Sequence, residues 1–232
     1  MKILSFVNCE ARKVYRSTVF WVVISVFSLL PLMLGFLSSP DLDWESYLSD
    51  LLASTATLLV VGCSFTSAWV FGREYTDNTI KDLLVKPIPK TYSVLSKFIV
   101  ITIWNVILAS FSFMVVTGVG VFIGINGGSI SLILSEFLTF MLTAIMIMAV
   151  STTSALLASV TKGYLAPIGL TFVIVIVSNV VMHLGMGTYF PWTIPVISLV
   201  DNISFISIVI VMMTGITGLV GTIAWWRFAE QK

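Results

Sequence analysis

Charged residues are scarce in this chain. Only 10% of its 232 residues are charged and 58% are hydrophobic, whereas in soluble proteins about a quarter of the residues are charged. No segment between the hydrophobic runs could supply the polar exterior of a soluble domain. The composition therefore predicts an integral membrane protein, and the net charge of +1 argues against a nucleic-acid partner.

Motifs for nucleotide binding, metal binding and covalent catalysis are also missing. The sequence has no G-x-x-x-x-G-K-[ST] loop for phosphates, no H-E-x-x-H, no C-x-x-C and no G-x-S-x-G. Its two cysteines, Cys9 and Cys63, and its one histidine, His183, are too few for a disulfide framework or a metal site. We therefore predict no catalytic, cofactor-binding or metal-binding residue in this chain.

Six hydrophobic runs are long enough to cross a bilayer, which takes about 20 residues of helix. The predicted spans are 18–37, 51–71, 98–123, 132–160, 165–183 and 203–226. The first two are separated by a short acidic loop with Asp41, Asp43, Glu45 and Asp50. Trp44 and Tyr47 in this loop are expected to anchor it at the membrane interface. The predicted fold is all-α and membrane-integral, with residues 1–232 forming a single transmembrane domain.

All twelve lysines and arginines fall on one side of the membrane if the chain crosses it six times. They are Lys2, Arg12, Lys13, Arg16, Arg73, Lys81, Lys86, Lys90, Lys97, Lys162, Arg227 and Lys232. The opposite side carries acidic residues and no fixed positive charge. Because lysine and arginine concentrate in cytoplasmic loops, we expect a multi-pass protein of the cell membrane with both termini in the cytoplasm.

The predicted spans contain almost no charge. Glu136 lies near the outer end of the fourth span and Asp201 precedes the sixth, and a solvated or helix-capping role is favoured over an ion site for both. The other buried polar groups are expected to be neutral, with Asn105 and Asn179 hydrogen bonding across helices. A secondary carrier normally has a carboxylate in the middle of the membrane, so the sequence argues against that class.

Small residues mark two places where helices are expected to pack closely. Gly120 and Gly124 are spaced as G-x-x-x-G, and Gly215, Gly218 and Gly221 recur every third residue. Such spacing lets helix backbones approach one another in a membrane. We expect most of these contacts to lie within the protein.

Two polar segments stand out from the hydrophobic runs. Residues 1–17 form a basic segment with apolar residues on one helical face, which fits a helix lying in the membrane interface or a simple basic flank. Residues 72–97 can form a short polar helix over Thr79–Lys86, capped by a residue just before it. Pro87 cannot continue that helix, so the chain must turn there. An ordered polar element of this kind is expected to hold a soluble partner.

The second segment resembles the signature of ABC-2 type transporter permease subunits. The matching residues are Arg73-Glu74, Asn78-Thr79-Ile80, Asp82, Leu83-Leu84, Pro87-Ile88-Pro89-Lys90 and Lys97. Asn78 replaces the usual glycine, Pro89 replaces a small polar residue, and Asp82 is displaced by one position. In size, the chain is most similar to the permeases of bacitracin and lantibiotic exporters.

The resemblance implies a division of labour between subunits. Residues 1–17 would form an elbow helix, 72–97 a cytoplasmic coupling loop with the coupling helix, and 184–202 an extracellular re-entrant element. Two permeases, identical or related, would pair around the substrate path, and two ATP-binding cassette ATPase subunits would hold ATP and Mg²⁺. The residues implied in coupling to the ATPase are Arg73, Glu74, Thr79, Ile80, Lys81, Asp82, Leu83, Leu84 and Pro87. Arg73 and Glu74 would fix the loop to the second span and the elbow helix.

This interpretation makes the chain a permease subunit without enzymatic activity, exporting amphipathic peptides, antibiotics or other drugs at the expense of ATP hydrolysed by its partner. One alternative is a membrane anchor or an immunity-type protein that binds a peptide without transporting it. A secondary carrier is a third and weaker hypothesis. A neighbouring gene for an ATPase with a phosphate-binding loop would favour the exporter over both alternatives.

Overall fold

A computed structural model describes residues 2–37, 43–79 and 89–229. In these ranges the chain is helical and forms no β-strand. Six helices are long and apolar enough to cross a membrane. They are α2 (Thr18–Phe36), α3 (Trp44–Thr76), α4 (Lys90–Ile123), α5 (Ile130–Val160), α6 (Leu165–His183) and α8 (Phe205–Ala224), the last continued by a π-helical turn at Trp225–Ala229. The prediction of an all-α fold with six spanning helices is confirmed.

The ends of several helices differ from the predicted spans. Helix α3 begins at Trp44 and continues to Thr76, so Glu45 and Asp50 lie on this helix and not in a loop. Helix α4 already begins at Lys90. The connection between α3 and α4 is therefore shorter than the predicted loop 72–97. Its central part, residues 80–88, lies outside the described residues, and with it the predicted coupling helix.

Shorter helices occur in the two segments that flank the spans. Helix α1 (Lys2–Tyr15) forms where the amphipathic elbow helix was predicted. A 3₁₀ turn at Gly187–Tyr189 and the short helix α7 (Ile194–Ile197) lie between α6 and α8. The interfacial position of α1 and the re-entrant path of 184–202 stay predictions.

The bundle has two ends that differ in charge. We call the end with α1, residues 77–79 and 89, the 161–164 turn and residues 225–229 the basic end, and the opposite one the acidic end. Helix α3 is the most deeply buried span, and α5 packs along it and along α8. Small residues on α3, among them Gly62, Ser64 and Ala68, allow its neighbours to approach closely.

Trp44 and Tyr47 are buried in the protein, so their predicted role as interfacial anchors is wrong. The Trp44 indole N–H donates to the carbonyl of Ile125 at 2.8 Å, and the Tyr47 hydroxyl donates to the carbonyl of Val116 at 2.9 Å. Both rings pack on Gly120, where a Cβ atom would lie 2.8 Å from each of them. Aromatic residues at a membrane interface show the same sequence pattern, two aromatic residues beside a polar loop. The sequence alone therefore does not distinguish interfacial from buried aromatic residues, whereas the packing in the structure does.

The two asparagines of the spans behave differently. Asn105 Oδ1 accepts a hydrogen bond from the Thr66 hydroxyl at 2.8 Å, which joins α4 to α3 as predicted. Asn179 Nδ2 instead donates to the carbonyl of Val175 in its own helix at 2.9 Å, so that prediction is wrong. Asn179 lies on an exposed face of α6.

The glycines of α8 lie against α5 inside the protein, as predicted. A Cβ atom on Gly215 would lie 3.1 Å from the Cβ of Ala149, and one on Gly218 would lie 2.6 Å from backbone atoms of Thr152 and Thr153. The Thr152 hydroxyl also donates to the carbonyl of Gly215 at 3.0 Å. The two backbones approach closely because these positions carry no side chain.

We expect Gly218→Ala to lower the free energy of unfolding by about 1–3 kcal/mol, because its methyl group must push two helix backbones apart. Gly118→Ala is the matched control, since a Cβ at Gly118 in α4 meets no atom within 4 Å. That control should be neutral or stabilising by up to about 1 kcal/mol. Thermal unfolding in detergent measures both. Equal melting temperatures for the two variants would contradict the close contact of α5 with α8.

Candidate functional site

Four charged side chains from three helices meet at the basic end. Glu10 and Lys13 come from α1, Glu74 from the last turn of α3, and Lys97 from the second turn of α4. We call these four residues the charge cluster. Lys97, Glu74 and Glu10 are almost completely buried, with exposed fractions of 0%, 1% and 5%. The cluster therefore joins α1, α3 and α4 inside the protein.

Each ammonium group of the cluster contacts both carboxylates. Lys97 Nζ lies 2.6 Å from Glu74 Oε1 and 2.8 Å from Glu10 Oε2. Lys13 Nζ lies 3.0 Å from Glu10 Oε1 and 3.3 Å from Glu74 Oε1. The two negative and two positive charges balance one another. Burial of a single charge would be costly, and this mutual pairing offsets that cost.

The cluster corrects the prediction that the buried polar groups are neutral. Lys97 was expected at the end of a polar loop, but α4 begins seven residues before it, so its side chain lies within the bundle. In the sequence, Glu10 and Lys13 belong to the basic segment 1–17. Their i, i+3 spacing on one helix face was the signal available in the sequence. It could not reveal the partners on α3 and α4.

The ion pairs keep the α1 members of the cluster charged. Burial alone would raise the pKa of the Glu10 carboxyl, but Lys97 and Lys13 hold that pKa below its ordinary value. Burial would lower the pKa of the Lys13 ammonium, but Glu10 and Glu74 raise that pKa above its ordinary value. Both groups are therefore ionised at neutral pH.

We expect these pairs to stabilise the fold over a wide pH plateau. The pKa of Glu10 is lowered from 4.5, so its contribution is present above pH 4.5 and is lost as the pH falls through the lowered value. The pKa of Lys13 is raised from 10.5, so its contribution is present below pH 10.5 and is lost as the pH rises through the raised value. The melting temperature of the purified protein should therefore be flat between these limits and fall on both sides. The double variant Glu10→Gln, Lys13→Gln should show a weaker dependence, and an unchanged pH profile would contradict the assignment.

The residues after α3 connect the charge cluster to the sequence motif. The Thr79 hydroxyl donates to Glu74 Oε2 at 2.5 Å. Asn78, at the position where the motif usually has glycine, has a φ angle of 55°. This left-handed conformation is readily adopted by glycine and, among other residues, most often by asparagine. The substitution therefore preserves a turn that lets Thr79 reach back to Glu74.

The structure describes three of the nine residues that the resemblance implied in coupling. Glu74 and Thr79 lie in or beside the charge cluster, and Glu74 contacts α1 through Lys13. The Arg73 guanidinium lies outside the cluster, 4.7 Å from the centre of the Trp69 ring. The remaining six, Ile80, Lys81, Asp82, Leu83, Leu84 and Pro87, lie outside the described residues. The coupling role of all nine stays a prediction.

The last turns of α3 also contact the π-helical turn that follows α8. The Trp226 indole N–H donates to the Ser159 hydroxyl at 2.9 Å, and its ring lies 5.8 Å from that of Phe71 and 6.3 Å from that of Tyr75. Trp226 is fully buried. Helix α3 is therefore held at the basic end by α1 and α4 through charges, and by α5 and the π-helical turn through this tryptophan.

Comparison with known proteins agrees with the motif. Residues 6–178 match the family model described as ABC-2 family transporter protein. Over 127 residues the chain is 24% identical to the bacitracin transport permease protein BCRB of Bacillus licheniformis, a match that covers 55% of this chain and 61% of that protein. The chain thus matches less than two thirds of that relative's length. Because the family model matches most of the sequence, this multi-pass membrane protein belongs to the ABC-2 transporter family.

Proposed function

We propose that this chain is the permease subunit of an ATP-driven exporter that moves amphipathic peptides or other amphipathic drugs out of the cell. The observation that carries the proposal is the charge cluster. It links Thr79, the last described residue before 80–88, to α3 and α4 through Glu74 and Lys97. A force applied to the motif segment would therefore reach two spans and α1 through buried ion pairs.

The energy source would be a separate ATP-binding cassette ATPase. This chain contains no phosphate-binding loop of its own, and membership of the ABC-2 family supports such a partner. ATP and Mg²⁺ would bind in that partner, on the cytoplasmic side, below the basic end. Two permease chains would pair to enclose the substrate path.

The substrate class is proposed from the relative and from the spanning helices. The relative is a permease of bacitracin transport by its name. The spans of this chain are strongly apolar, and they offer few charged groups to a fully hydrated ion. An amphipathic molecule that enters from the bilayer fits this surface better than a small hydrophilic solute.

The test is purification of the tagged protein from its native membranes in a mild detergent, followed by reconstitution into lipid vesicles. We expect an ABC ATPase to co-purify, and its ATP hydrolysis to rise when a cyclic amphipathic peptide such as bacitracin is added. Charge reversal at Lys81 or loss of the Leu84 side chain should remove that rise. The proposal fails if the protein neither binds an ATPase nor changes its rate. Peptide binding without an ATPase would support the immunity-type alternative.

A further inference from the structure

A groove opens between α5 and α8 on the acidic side of their close contact. The two helices touch at Ala149 and Gly215. Most of the residues that line the groove precede this contact on both helices, which places the groove on the side of the acidic end. The groove has a volume of about 390 Å³. Ligand sites for small molecules are typically about 300–1,000 Å³, so the groove can take a small amphiphile or one arm of a larger one.

The groove is apolar inside and polar at one edge. Its walls include Met146 of α5 and Met212 of α8, and Val211 forms part of its buried floor. Methionine side chains adapt to ligands of different shapes. Asp201 and Asn202, from the segment that leads into α8, supply the polar edge. The groove is thus apolar inside and has one carboxylate at its edge.

The Asp201 carboxylate makes no hydrogen bond or ion pair with the part of the chain that the structure describes. The N-terminus of α8 is capped by Ser204, whose hydroxyl accepts a hydrogen bond from the backbone N–H of Ser207 at 3.2 Å. Between Lys97 and Arg227 the sequence contains one lysine or arginine, Lys162, which follows α5 at the basic end. Among the residues that the structure describes, no lysine or arginine pairs with Asp201. The other acidic residues at this end add to a local field that attracts cations.

We propose that this groove binds a cationic amphiphile, with its apolar part between α5 and α8 and its ammonium or guanidinium group beside Asp201. Charge complementarity selects this occupant, because the groove offers one carboxylate and no cation. As a transport site it rests on the exporter function proposed above, but binding itself does not require an ATPase. The competing occupant is a membrane lipid, whose ammonium group is accompanied by a phosphate anion that the Asp201 carboxylate would repel.

The binding test uses the purified permease in nanodiscs of phosphatidylcholine, without an ATPase. One probe is a dodecyl chain with a trimethylammonium head and a diazirine, and the other is a neutral dodecanol with the same diazirine. Photolabelling followed by mass spectrometry locates the site, and the probe concentration at half-saturation measures affinity. We expect saturable labelling of α5 and α8 at the groove by the cationic probe.

Three variants sharpen the test. Asp201→Asn should raise the half-saturating concentration of the cationic probe by roughly fivefold, the effect of an accessible ion pair, and leave labelling by the neutral probe unchanged. Met212→Trp should fill the groove and remove saturable labelling. Met213→Trp is the matched control, because Met213 is similarly exposed on α8 but does not line the groove.

The outcomes separate this proposal from the exporter function. Equal labelling by both probes would assign the groove to lipid and overturn the proposal. An unchanged affinity in Asp201→Asn would overturn it as well. If the exporter test fails but the cationic probe still binds in nanodiscs, only the exporter function is refuted. If the protein couples to an ATPase but the probe does not bind at the groove, only the binding site is refuted.

Discussion

Replacing Lys97 by methionine is expected to lower the free energy of unfolding by about 3–5 kcal/mol, as measured for buried ion pairs that lose one partner. Lys97 Nζ contacts both Glu74 and Glu10, and its side chain has no exposed surface. Methionine fills a similar volume but leaves two buried carboxylates with a single ammonium, that of Lys13. A large fall in the melting temperature in detergent, or loss of folded protein from the membrane, should follow.

Two further variants show whether charge is the cause. Lys90→Met removes a lysine from the first turn of the same helix, outside the charge cluster, and should change stability by less than about 1 kcal/mol. Glu74→Gln combined with Lys97→Met restores neutrality to the cluster and should recover part of the lost stability. If Lys97→Met melts at the wild-type temperature, the buried ion pairs do not hold these helices together.

The number of spanning helices could be predicted because two features are visible in the sequence. These are the long apolar runs and the placement of all lysines and arginines on one side of the membrane when six spans are assumed. The helix ends could not. The first turns of α3 carry Glu45 and Asp50, and its last turns carry Arg73 and Glu74, so a hydropathy criterion ends the span at both places. The helix continues there because neighbouring segments bury one face of it, as Trp44, Tyr47 and Glu74 show.

The candidate site could be predicted only in part. The motif drew attention to Glu74 and Thr79 because they lie in one continuous segment. Glu10 lies 87 residues before Lys97 in the sequence, and no local pattern predicts that the two side chains meet 2.8 Å apart. A sequence search for buried charge also fails, because a lysine two turns into a helix looks the same whether it faces water or a carboxylate.

The cluster also bears on how the proposed exporter would work. A bundle held at its basic end by packing alone would allow the connection after α3 to move without its neighbours. Here Glu74 contacts Lys13 on α1, Lys97 on α4 and Thr79 beyond the end of α3. The Glu74 carboxylate thus joins three elements at the basic end. Glu74 is therefore the position at which coupling should be most sensitive.

We expect Glu74→Gln to lower substrate-stimulated ATP hydrolysis and transport at least tenfold, while the ATPase still co-purifies. The amide keeps the shape of the side chain but cannot accept two charged hydrogen bonds and one from Thr79 together. Coupling free energies between sites are typically about 1–3 kcal/mol, which corresponds to roughly 5–150-fold. Stimulated ATPase activity in reconstituted vesicles measures the effect. Glu45→Gln is the matched control, since Glu45 is an exposed glutamate in the first turn of the same helix, at the acidic end.

The decisive comparison is the double variant Lys13→Gln, Glu74→Gln. It leaves Glu10 and Lys97 as one neutral buried pair, 2.8 Å apart, so folding should largely recover. It does not restore the link from Thr79 through Glu74 to Lys97, so coupling should remain low. A double variant that regains both the melting temperature and stimulated ATP hydrolysis would show that Glu74 acts only through stability. Recovery of stability without coupling would establish Glu74 as the residue through which the motif segment moves α4.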